Sequence, residues 1–168
     1  ELARVYVETA FEKPFKKKIP TDEEVRKFFD ENESKLGRPQ RIRIAHIALL
    51  APVADAPGRA EKRRAAEVVL SDLRRKAKDE YAFGQVAMTR SEDPRSRPAA
   101  GELPFLTRDE ISARIGAEAA EAAFATLPGQ MAARVIETEQ DFQIVKGLSA
   151  EESRAASYDE LRDSIKSR

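Results

Sequence analysis

Strand-forming segments are few in this sequence, and their small number limits what the chain can fold into. From Arg41 to Leu50 the residues are β-rich. Charged and apolar residues alternate at first, and the run then becomes almost wholly apolar, as in a central strand that enters a core. Two more short strands, 135–138 and 142–145, are separated by a tight turn and predict a hairpin. Because so few strands do not suit a doubly wound sheet, the sequence predicts an α+β domain with a small antiparallel sheet.

Capping signals mark where two helices begin. Thr21–Glu24 and Thr107–Glu110 are capping boxes, in which a Thr hydroxyl and a Glu carboxylate satisfy the first backbone N–H groups of a helix. Gly37 is expected to end the first of these helices in a left-handed conformation. Apolar residues at helical spacing predict further helices over 2–10, 61–77, 81–88, 117–127 and 157–168. Loops are predicted over 52–58 and over the polar, proline-containing stretch 89–104.

The available residue types exclude several kinds of chemistry. The 168 residues include no Cys and one His, His46, so thiol catalysis, disulfides and His-rich zinc sites are excluded. Basic and acidic side chains number 30 each, which leaves no overall charge to attract nucleic acid. The sequence has no Gly-rich phosphate loop, no apolar run that spans a bilayer and no strand-turn motif for a nucleophilic Ser. A nucleotide-binding protein, a membrane-spanning protein and a Ser hydrolase acting through His46 are therefore not expected.

Six short segments are more specific together than any one of them alone. They are the His-containing strand Ile42–Leu49, the helical segment Phe83–Ala87, the loop segments Ser91–Pro94 and Gly101–Leu103, the helix and turn Glu121–Gly129, and the closing hairpin Thr138–Lys146. In their order and spacing these segments resemble the parvulins, the PpiC-type peptidyl-prolyl cis–trans isomerases. The resemblance implies an FKBP-like α+β domain in which helices wrap a small antiparallel sheet.

The resemblance also implies how the chain is organised. It covers 40–148, so we expect an isomerase domain over 39–149, a helical lead-in over 1–38 and a C-terminal helix over 150–168 that packs on the lead-in. The lead-in resembles that of exported, SurA-like or PpiC-like folding factors, and this similarity predicts a periplasmic or cell-envelope location. No signal peptide opens the sequence and Glu1 is not a natural first residue, so we expect a mature or trimmed chain.

By resemblance, four polar residues form the catalytic floor. They are His46, Asp93, Thr138 and Gln143. Members of the family usually carry a second His where this sequence has Gln143, which can donate and accept hydrogen bonds but cannot titrate. Taken by themselves, the residues also allow simpler interpretations. His46 could be a hydrogen-bonded core residue of a strand, and Asp93, which precedes a proline, could belong to an ordinary turn.

An apolar socket for the proline ring is the other part of the site that the resemblance implies. We assign this socket to Leu103, Ile111, Ile115, Ala119 and Phe124. Ala119 stands where the family usually has a large aromatic residue, and Ile115, in an inserted stretch, is a candidate replacement. Leu103 and Ile111 would be core residues in any globular domain, so only their position indicates a socket.

Two functions remain open for such a domain. The first is isomerisation of X–Pro bonds in unfolded exported polypeptides, which needs no metal or cofactor because a rotation transfers no group or electron. The second is a chaperone that grips extended, proline-containing clients with little catalysis. If Phe11, Phe28 and Phe29 are exposed, they favour the chaperone and a homodimer formed by helix exchange. Burial of these rings against the tail helix is the favoured interpretation.

Four basic residues near the 52–58 loop have two interpretations. They are Arg59, Lys62, Arg63 and Arg64. Phosphate-selective parvulins carry an arginine cluster near this place. Because acidic residues are interspersed with the basic ones, a solvated helix face is the favoured interpretation.

Overall fold

Two compact units make up the part of the chain that the structure describes. The computed structural model describes residues 20–54 and 56–166. One unit contains the segments up to Arg38 and from Arg154 onward, and the other is Pro39–Ser153. The predicted helix over 2–10 and Phe11 lie outside the described residues. No helix in the described ranges is both long enough and apolar enough to cross a membrane.

Helices and strands follow the predicted order closely. The helices are α1 (Asp22–Leu36), α2 (Ala56–Arg75), α3 (Ala82–Arg90), α4 (Arg108–Ile115), α5 (Ala117–Phe124) and α6 (Tyr158–Lys166). The strands are β1 (Arg41–Leu50), β2 (Ile136–Glu137) and β3 (Asp141–Glu151). Helix α2 begins inside the stretch predicted as a loop. Pro57 is compatible with this earlier start because it lies in the first helical turn, where a missing N–H leaves no bond unmade.

In the first unit, α1 and α6 pack through aromatic side chains. Both hydrogen bonds of the capping box at Thr21 form, so α1 begins where the sequence predicts. Phe29 is buried, and its ring meets the ring of Tyr158 edge-on with centroids 5.5 Å apart. Aromatic pairs favour this geometry. Phe28 is 46% exposed, so one of the two described lead-in rings is buried and the other stays at the surface.

The end of α1 differs from the prediction. Gly37 has φ −64° and ψ 163°, which is extended backbone, so the predicted left-handed conformation is wrong. The physical reason is the pairing that follows. Arg38 and Arg154 exchange two backbone hydrogen bonds of 2.8 and 2.9 Å, and this pairing requires the chain to leave the helix in an extended form.

The second unit is built on a three-stranded antiparallel sheet in the order β1-β3-β2. The two long strands pair from Arg41 opposite Glu151 to Leu50 opposite Asp141, with a register shift between Arg43 and Ile44. With its flanking helices, this small sheet confirms the predicted α+β fold.

Side chains of β1 alternate between two apolar layers. Ile44 belongs to the layer formed with α4 and α5, whereas Ala45 and Ile47 belong to the layer formed with α2 and α3. His46 points to the same side as Ile44, because it lies two residues further along the strand. The imidazole therefore lies on the side of the sheet that α4 and α5 cover.

The loop between α3 and α4 runs along the edge of β1 that β3 leaves free. The hydrogen-bonded pairs are Ile42 with Leu106, Ile44 with Leu103, His46 with Gly101, Ala48 with Ser91 and Glu92, and Leu50 with Glu92. The loop predicted over 89–104 is thus irregular in shape but paired with β1 much as a strand would be. Because Glu92 and Gly101 are both held against β1, residues 93–100 form an arch between them, beside His46.

Candidate active site

Three polar side chains meet where this arch approaches β1. His46 Nε2 lies 2.8 Å from Ser96 Oγ and 3.2 Å from a carboxylate oxygen of Asp93. Ser96 Oγ donates a hydrogen bond to the same oxygen of Asp93. The Asp93 carboxylate also accepts from the backbone N–H groups of Arg95 and Ser96, as in an Asx turn. His46 and Ser96 are each 1% exposed, so the arch holds a buried polar network against Nε2.

Burial and charge act on these groups in opposite directions. Burial lowers the pKa of His46 below its ordinary value of 6.5, although the Asp93 charge and smaller effects of Gln143 and Asp141 raise it. For Asp93, burial raises the pKa, but hydrogen bonds from Ser96 and the Arg95 N–H outweigh burial and hold the pKa below 3.8. At neutral pH the site therefore holds a neutral imidazole next to an ionised carboxylate.

A second buried network links the turn before β3 to the junction of α4 and α5. Asp141 accepts hydrogen bonds from Thr138 Oγ1 at 2.6 Å and from Gln143 Nε2 at 3.0 Å. Gln143 Nε2 also donates to the backbone carbonyl of Ile115 at 2.8 Å. In the described ranges, no group of three or more His, Asp or Glu side chains is placed to hold a metal ion.

Among the described residues, two buried side-chain polar atoms have no hydrogen-bond partner. They are His46 Nδ1 and Gln143 Oε1. Gln143 lies opposite Ala48 and His46 lies opposite Val145, so His46 and Gln143 are diagonal neighbours on one face of the sheet. Gln143 raises the pKa of His46 as a neighbouring acceptor does, yet the two atoms do not reach hydrogen-bond geometry. The two networks are therefore neighbours on the sheet, but no hydrogen bond joins His46 to Gln143.

The apolar residues predicted for the socket lie together in the layer formed with α4 and α5. Leu103, Ile111 and Ala119 belong to its buried core, while Ile115 and Phe124 pack against that core and are partly buried. Ile111 and Ala119 are both 0% exposed. A proline ring would contact these two residues only after α4 or α5 moves, whereas Ile115 and Phe124 are accessible without such a change.

A family model matches nearly the whole of the described chain. Residues 20–163 match the model of the PPIC-type PPIase domain, and this span includes both polar networks and the apolar layer. The chain belongs to the PPIC-type peptidyl-prolyl isomerase family. The predicted relationship to the parvulins is thereby confirmed. A search of curated proteins found no significant match.

Solved structures similar to this PPIC-type chain include folding factors. One of two SurA-like chaperones of Campylobacter jejuni is 20% identical with a TM-score of 0.70, and the match covers 99% of this chain and 59% of that one. The foldase PrsA of Streptococcus pneumoniae is 25% identical with a TM-score of 0.52, and the match covers 98% and 51%. A PpiC-type isomerase domain is 22% identical with a TM-score of 0.52, over 68% of this chain and 94% of that domain. The chain thus spans 59% and 51% of the two folding factors.

Two members of the networks in this PPIC-type domain, Ser96 and Asp141, were not predicted from the sequence. The one local sign of Ser96 is its spacing of three residues from Asp93, because an Asx turn brings that residue back to the carboxylate. Asp141 has the sequence context of a turn residue. The register of β1 with β3 puts Asp141 on the face that carries His46 and Gln143.

Arg59 differs from the predicted solvated face of α2. Its side chain is 14% exposed and donates to the backbone carbonyls of Ala51 and Thr138. The carboxylate pairs of this helix are Arg59–Glu137, Arg63–Glu137 and Lys62–Glu92. Charge pattern alone does not reveal partners so distant in sequence. Three of the four basic residues are therefore paired with carboxylates, and Arg59 ties the Thr138 turn of this PPIC-type domain to the end of β1.

The titration of His46 can be followed without overlap, because this residue is the only His in the chain. Long-range proton–nitrogen NMR spectra are expected to give a pKa below 6.5, since burial disfavours the imidazolium. A lowered pKa means that the unfolded chain binds this proton more tightly. The free energy of unfolding is therefore expected to fall as the pH drops from about 7 to about 5. Asp93 acts in the same direction. Its ionised form stabilises the folded chain, and this contribution to the free energy of unfolding is lost as the pH falls below 3.8 towards the lower folded-state pKa.

Urea unfolding at the two pH values measures this effect, with His46→Gln as the comparison. The variant has no imidazole to titrate, so it is expected to lose less stability than the wild type over the same pH interval. A His46 pKa above 6.5, or equal losses in the two proteins, would contradict the assigned balance between burial and charge.

Proposed function

We propose that this chain catalyses cis–trans isomerisation of X–Pro bonds in polypeptides. The observation that carries the proposal is the group His46–Asp93–Ser96, in which His46 and Ser96 are buried, on the side of the sheet that carries the apolar layer containing Leu103. The reaction needs an apolar contact for the proline ring next to a polar environment for the amide, and this site combines the two. Membership of the PPIC-type family supports the same reaction.

The proposed mechanism rests on hydrogen bonds that strengthen during the rotation. Amide resonance sets the barrier at about 18–20 kcal/mol, and the rotation itself transfers no group. The site therefore accelerates the rotation only by binding the twisted amide more tightly than the planar one. Preorganised dipoles in a buried site suit this task, because they need no rearrangement as the charge of the amide shifts. Each tenfold gain in rate requires about 1.4 kcal/mol of such preference.

In this mechanism, His46 and Asp93 act as one unit. Asp93 is ionised and close to Nε2, so it polarises the neutral imidazole, while Ser96 keeps both groups in place. We assign contact with the proline ring to Leu103, Ile115 and Phe124, and deeper contact to Ile111 and Ala119. Thr138 and Gln143 complete the polar floor through Asp141.

We further propose that the protein assists the folding of proline-containing polypeptides in the cell envelope. The C. jejuni pair is described as SurA-like chaperones, one of them periplasmic, and the pneumococcal protein as a foldase. Those matches cover 99% and 98% of this chain, so the similarity includes the segments outside the isomerase domain as well. Unfolded polypeptides are the clients that this similarity supports.

A second candidate function is chaperone-like binding with weak catalysis. The observation that favours it is the complete burial of Ile111 and Ala119, together with 1% exposure of Gln143. A socket covered in this way binds a client only after it opens, and the free energy of opening reduces apparent affinity and rate. Both candidates use the same side of the sheet.

Isomerisation of a short proline peptide, followed by NMR exchange, distinguishes the two candidates. Wild type is expected to accelerate the exchange, and His46→Ala is expected to lose about tenfold or more of the rate, because Asp93 and Ser96 lose their imidazole partner. Circular dichroism checks that the variant remains folded. The control is Glu139→Gln, which changes an exposed carboxylate in the β2–β3 turn and is expected to keep the wild-type rate.

The variant Gln143→His separates a weak enzyme from a binding protein. Its imidazole can donate to His46 Nδ1, so the variant is expected to be at least as fast as the wild type. A silent wild type with an active Gln143→His variant would support the chaperone-like function. If all three proteins lack isomerase activity but still suppress aggregation of an unfolded client, the chaperone-like function is supported too. If they neither accelerate the exchange nor suppress aggregation, both candidate functions are rejected.

A further inference from the structure

The orientation of the Gln143 side-chain amide is determined by its neighbours. The nitrogen donates one hydrogen bond to the Ile115 carbonyl at 2.8 Å and faces both carboxylate oxygens of Asp141 at 3.0 and 3.1 Å. An amide nitrogen has two hydrogens, and both are used here. A flipped amide would place Oε1 against three acceptor oxygens. The carbonyl end of Gln143 is therefore held away from Asp141 and Ile115.

We assign His46 Nδ1 as the atom that faces this carbonyl end. Both atoms are buried without a hydrogen-bond partner, and the two side chains are diagonal neighbours on the sheet. A neutral imidazole carries one N–H. Asp93 and Ser96 attract that hydrogen to Nε2, at 3.2 and 2.8 Å. Nδ1 is then an acceptor, as Oε1 is. Two acceptors form no hydrogen bond with each other, which accounts for the absence of a bond between Nδ1 and Oε1.

We infer that Asp141 is a positioning residue, which holds the Gln143 amide so that its carbonyl oxygen, and not its nitrogen, faces His46 Nδ1. An isolated Gln could turn its nitrogen to Nδ1 and satisfy it. Asp141 prevents this turn because an anionic carboxylate accepts from the amide nitrogen and repels the amide oxygen. Thr138 supports the carboxylate through its 2.6 Å hydrogen bond.

The consequence is a His46 that gains a hydrogen bond when it takes up a proton. Protonation places hydrogen on Nδ1, where Oε1 accepts it, so the Asp141–Gln143 pair opposes the effect of burial. The charges that act on this imidazole are those of Asp93 on the arch and Asp141 on β3. This role deepens the proposed isomerase function and rests on it where turnover is concerned, because the contacts at Nδ1 help to fix the position of the ring whose Nε2 faces Asp93 and Ser96.

The test compares the imidazole of His46 in four proteins by long-range proton–nitrogen NMR. They are the wild type, Asp141→Asn, Gln143→Met and the double variant. In Asp141→Asn the new amide can donate to Oε1, so Gln143 is free to turn its nitrogen to Nδ1 and the His46 pKa is expected to fall. Part of that fall comes directly from the lost charge. Because the direct part persists in the Gln143→Met background, Asp141→Asn is expected to lower the pKa less in that background.

Equal effects of Asp141→Asn in the two backgrounds would overturn the inference, because Asp141 would then act through its charge alone. Glu139→Gln is the control for charge, since it removes an exposed carboxylate two positions away and is expected to leave the His46 nitrogen shifts unchanged. If Asp141→Asn does not fold, the His46 pKa of Gln143→Met is the deciding measurement. It removes the acceptor that faces Nδ1, so an unchanged His46 pKa in that variant would also overturn the inference.

The rate assay provides a separate readout. Asp141→Asn is expected to lower the isomerisation rate roughly tenfold while Glu139→Gln keeps it, because small misplacements of a catalytic unit are costly. A wild type without isomerase activity would refute the proposed function, but the NMR comparison needs no substrate and would still decide the role of Asp141. An Asp141→Asn variant with wild-type rate and wild-type nitrogen shifts would refute that role.

Discussion

Gly101→Ala is expected to destabilise the protein by about 3 kcal/mol or more and to abolish isomerase activity. Gly101 has φ +80°, where a side chain costs about 1–2 kcal/mol. A Cβ at this position would also lie 2.3 Å from the backbone oxygen of His46, so the loop would have to move away from β1. The Gly101 carbonyl accepts the His46 N–H at 2.9 Å, and displacement of the loop would therefore disturb the imidazole. Urea unfolding and the peptide exchange assay measure the two effects.

Gly129→Ala is the matched control for this experiment. Gly129 has nearly the same backbone angle, φ +81°, but nothing lies within 4 Å of the position that its Cβ would occupy. The control variant is expected to lose about 1 kcal/mol from backbone strain alone and to keep its activity. The difference between the two variants then measures the close approach of the loop to β1. Equal stability losses would mean that the loop accommodates a methyl group at Gly101 and that the tight contact with His46 is unimportant.

Asp93→Asn is expected to lower kcat/KM by about 10- to 100-fold while the protein remains folded. The amide oxygen can still accept from the backbone N–H groups of Arg95 and Ser96, so the turn is expected to persist. What the variant loses is the negative charge next to Nε2 and the strong acceptor for the Ser96 hydroxyl. The neutral imidazole is then less polarised and binds the twisted amide less tightly. Peptide exchange by NMR, with urea unfolding in parallel, separates the two quantities.

Glu102→Gln is the control for the charge lost in Asp93→Asn. Glu102 lies on the same loop and is exposed, and its carboxylate pairs with Arg43 on the surface of the sheet. Its replacement is expected to leave kcat/KM within about twofold of the wild type, since exposed ion pairs contribute little. Full activity of Asp93→Asn would remove Asp93 from the catalytic group. A parallel loss in both variants would indicate a general effect of charge on this loop.

Much of the fold could be predicted because it depends on local patterns. The capping box at Thr21 requires only that a Thr and a Glu lie three residues apart, and the one at Thr107 likewise opens α4. Gly37 could not be predicted in the same way. Its backbone angles follow from the pairing of Arg38 with Arg154, which lies far away in the sequence. A helix end is decided by where the chain must go next, and that direction is a tertiary property.

The candidate site shows the same division. His46 and Asp93 were predictable because short motifs contain them, and their distance of 3.2 Å agrees with a shared site. Ser96 and Asp141 were not predictable, because serine in an irregular loop and aspartate in a turn are common and do not by themselves indicate a site. Arg59 shows most clearly what sequence patterns cannot predict, since its partner Glu137 lies 78 positions further along the chain. Charge patterns report on neighbours along a helix and not on such distant partners.

The sequence by itself determined the number of strands, the starts of the capped helices, the family and the presence of a single imidazole in the chain. These depend on residue type and spacing, which act over a few positions. Only the tertiary structure decided which groups surround that imidazole. The register of β1 with β3 makes His46 and Gln143 neighbours, and the loop paired with the other edge of β1 brings Ser96 to Nε2. A shift of one residue in that register would turn Gln143 to the opposite face, which is why hydrogen bonds between distant segments cannot be derived from local patterns.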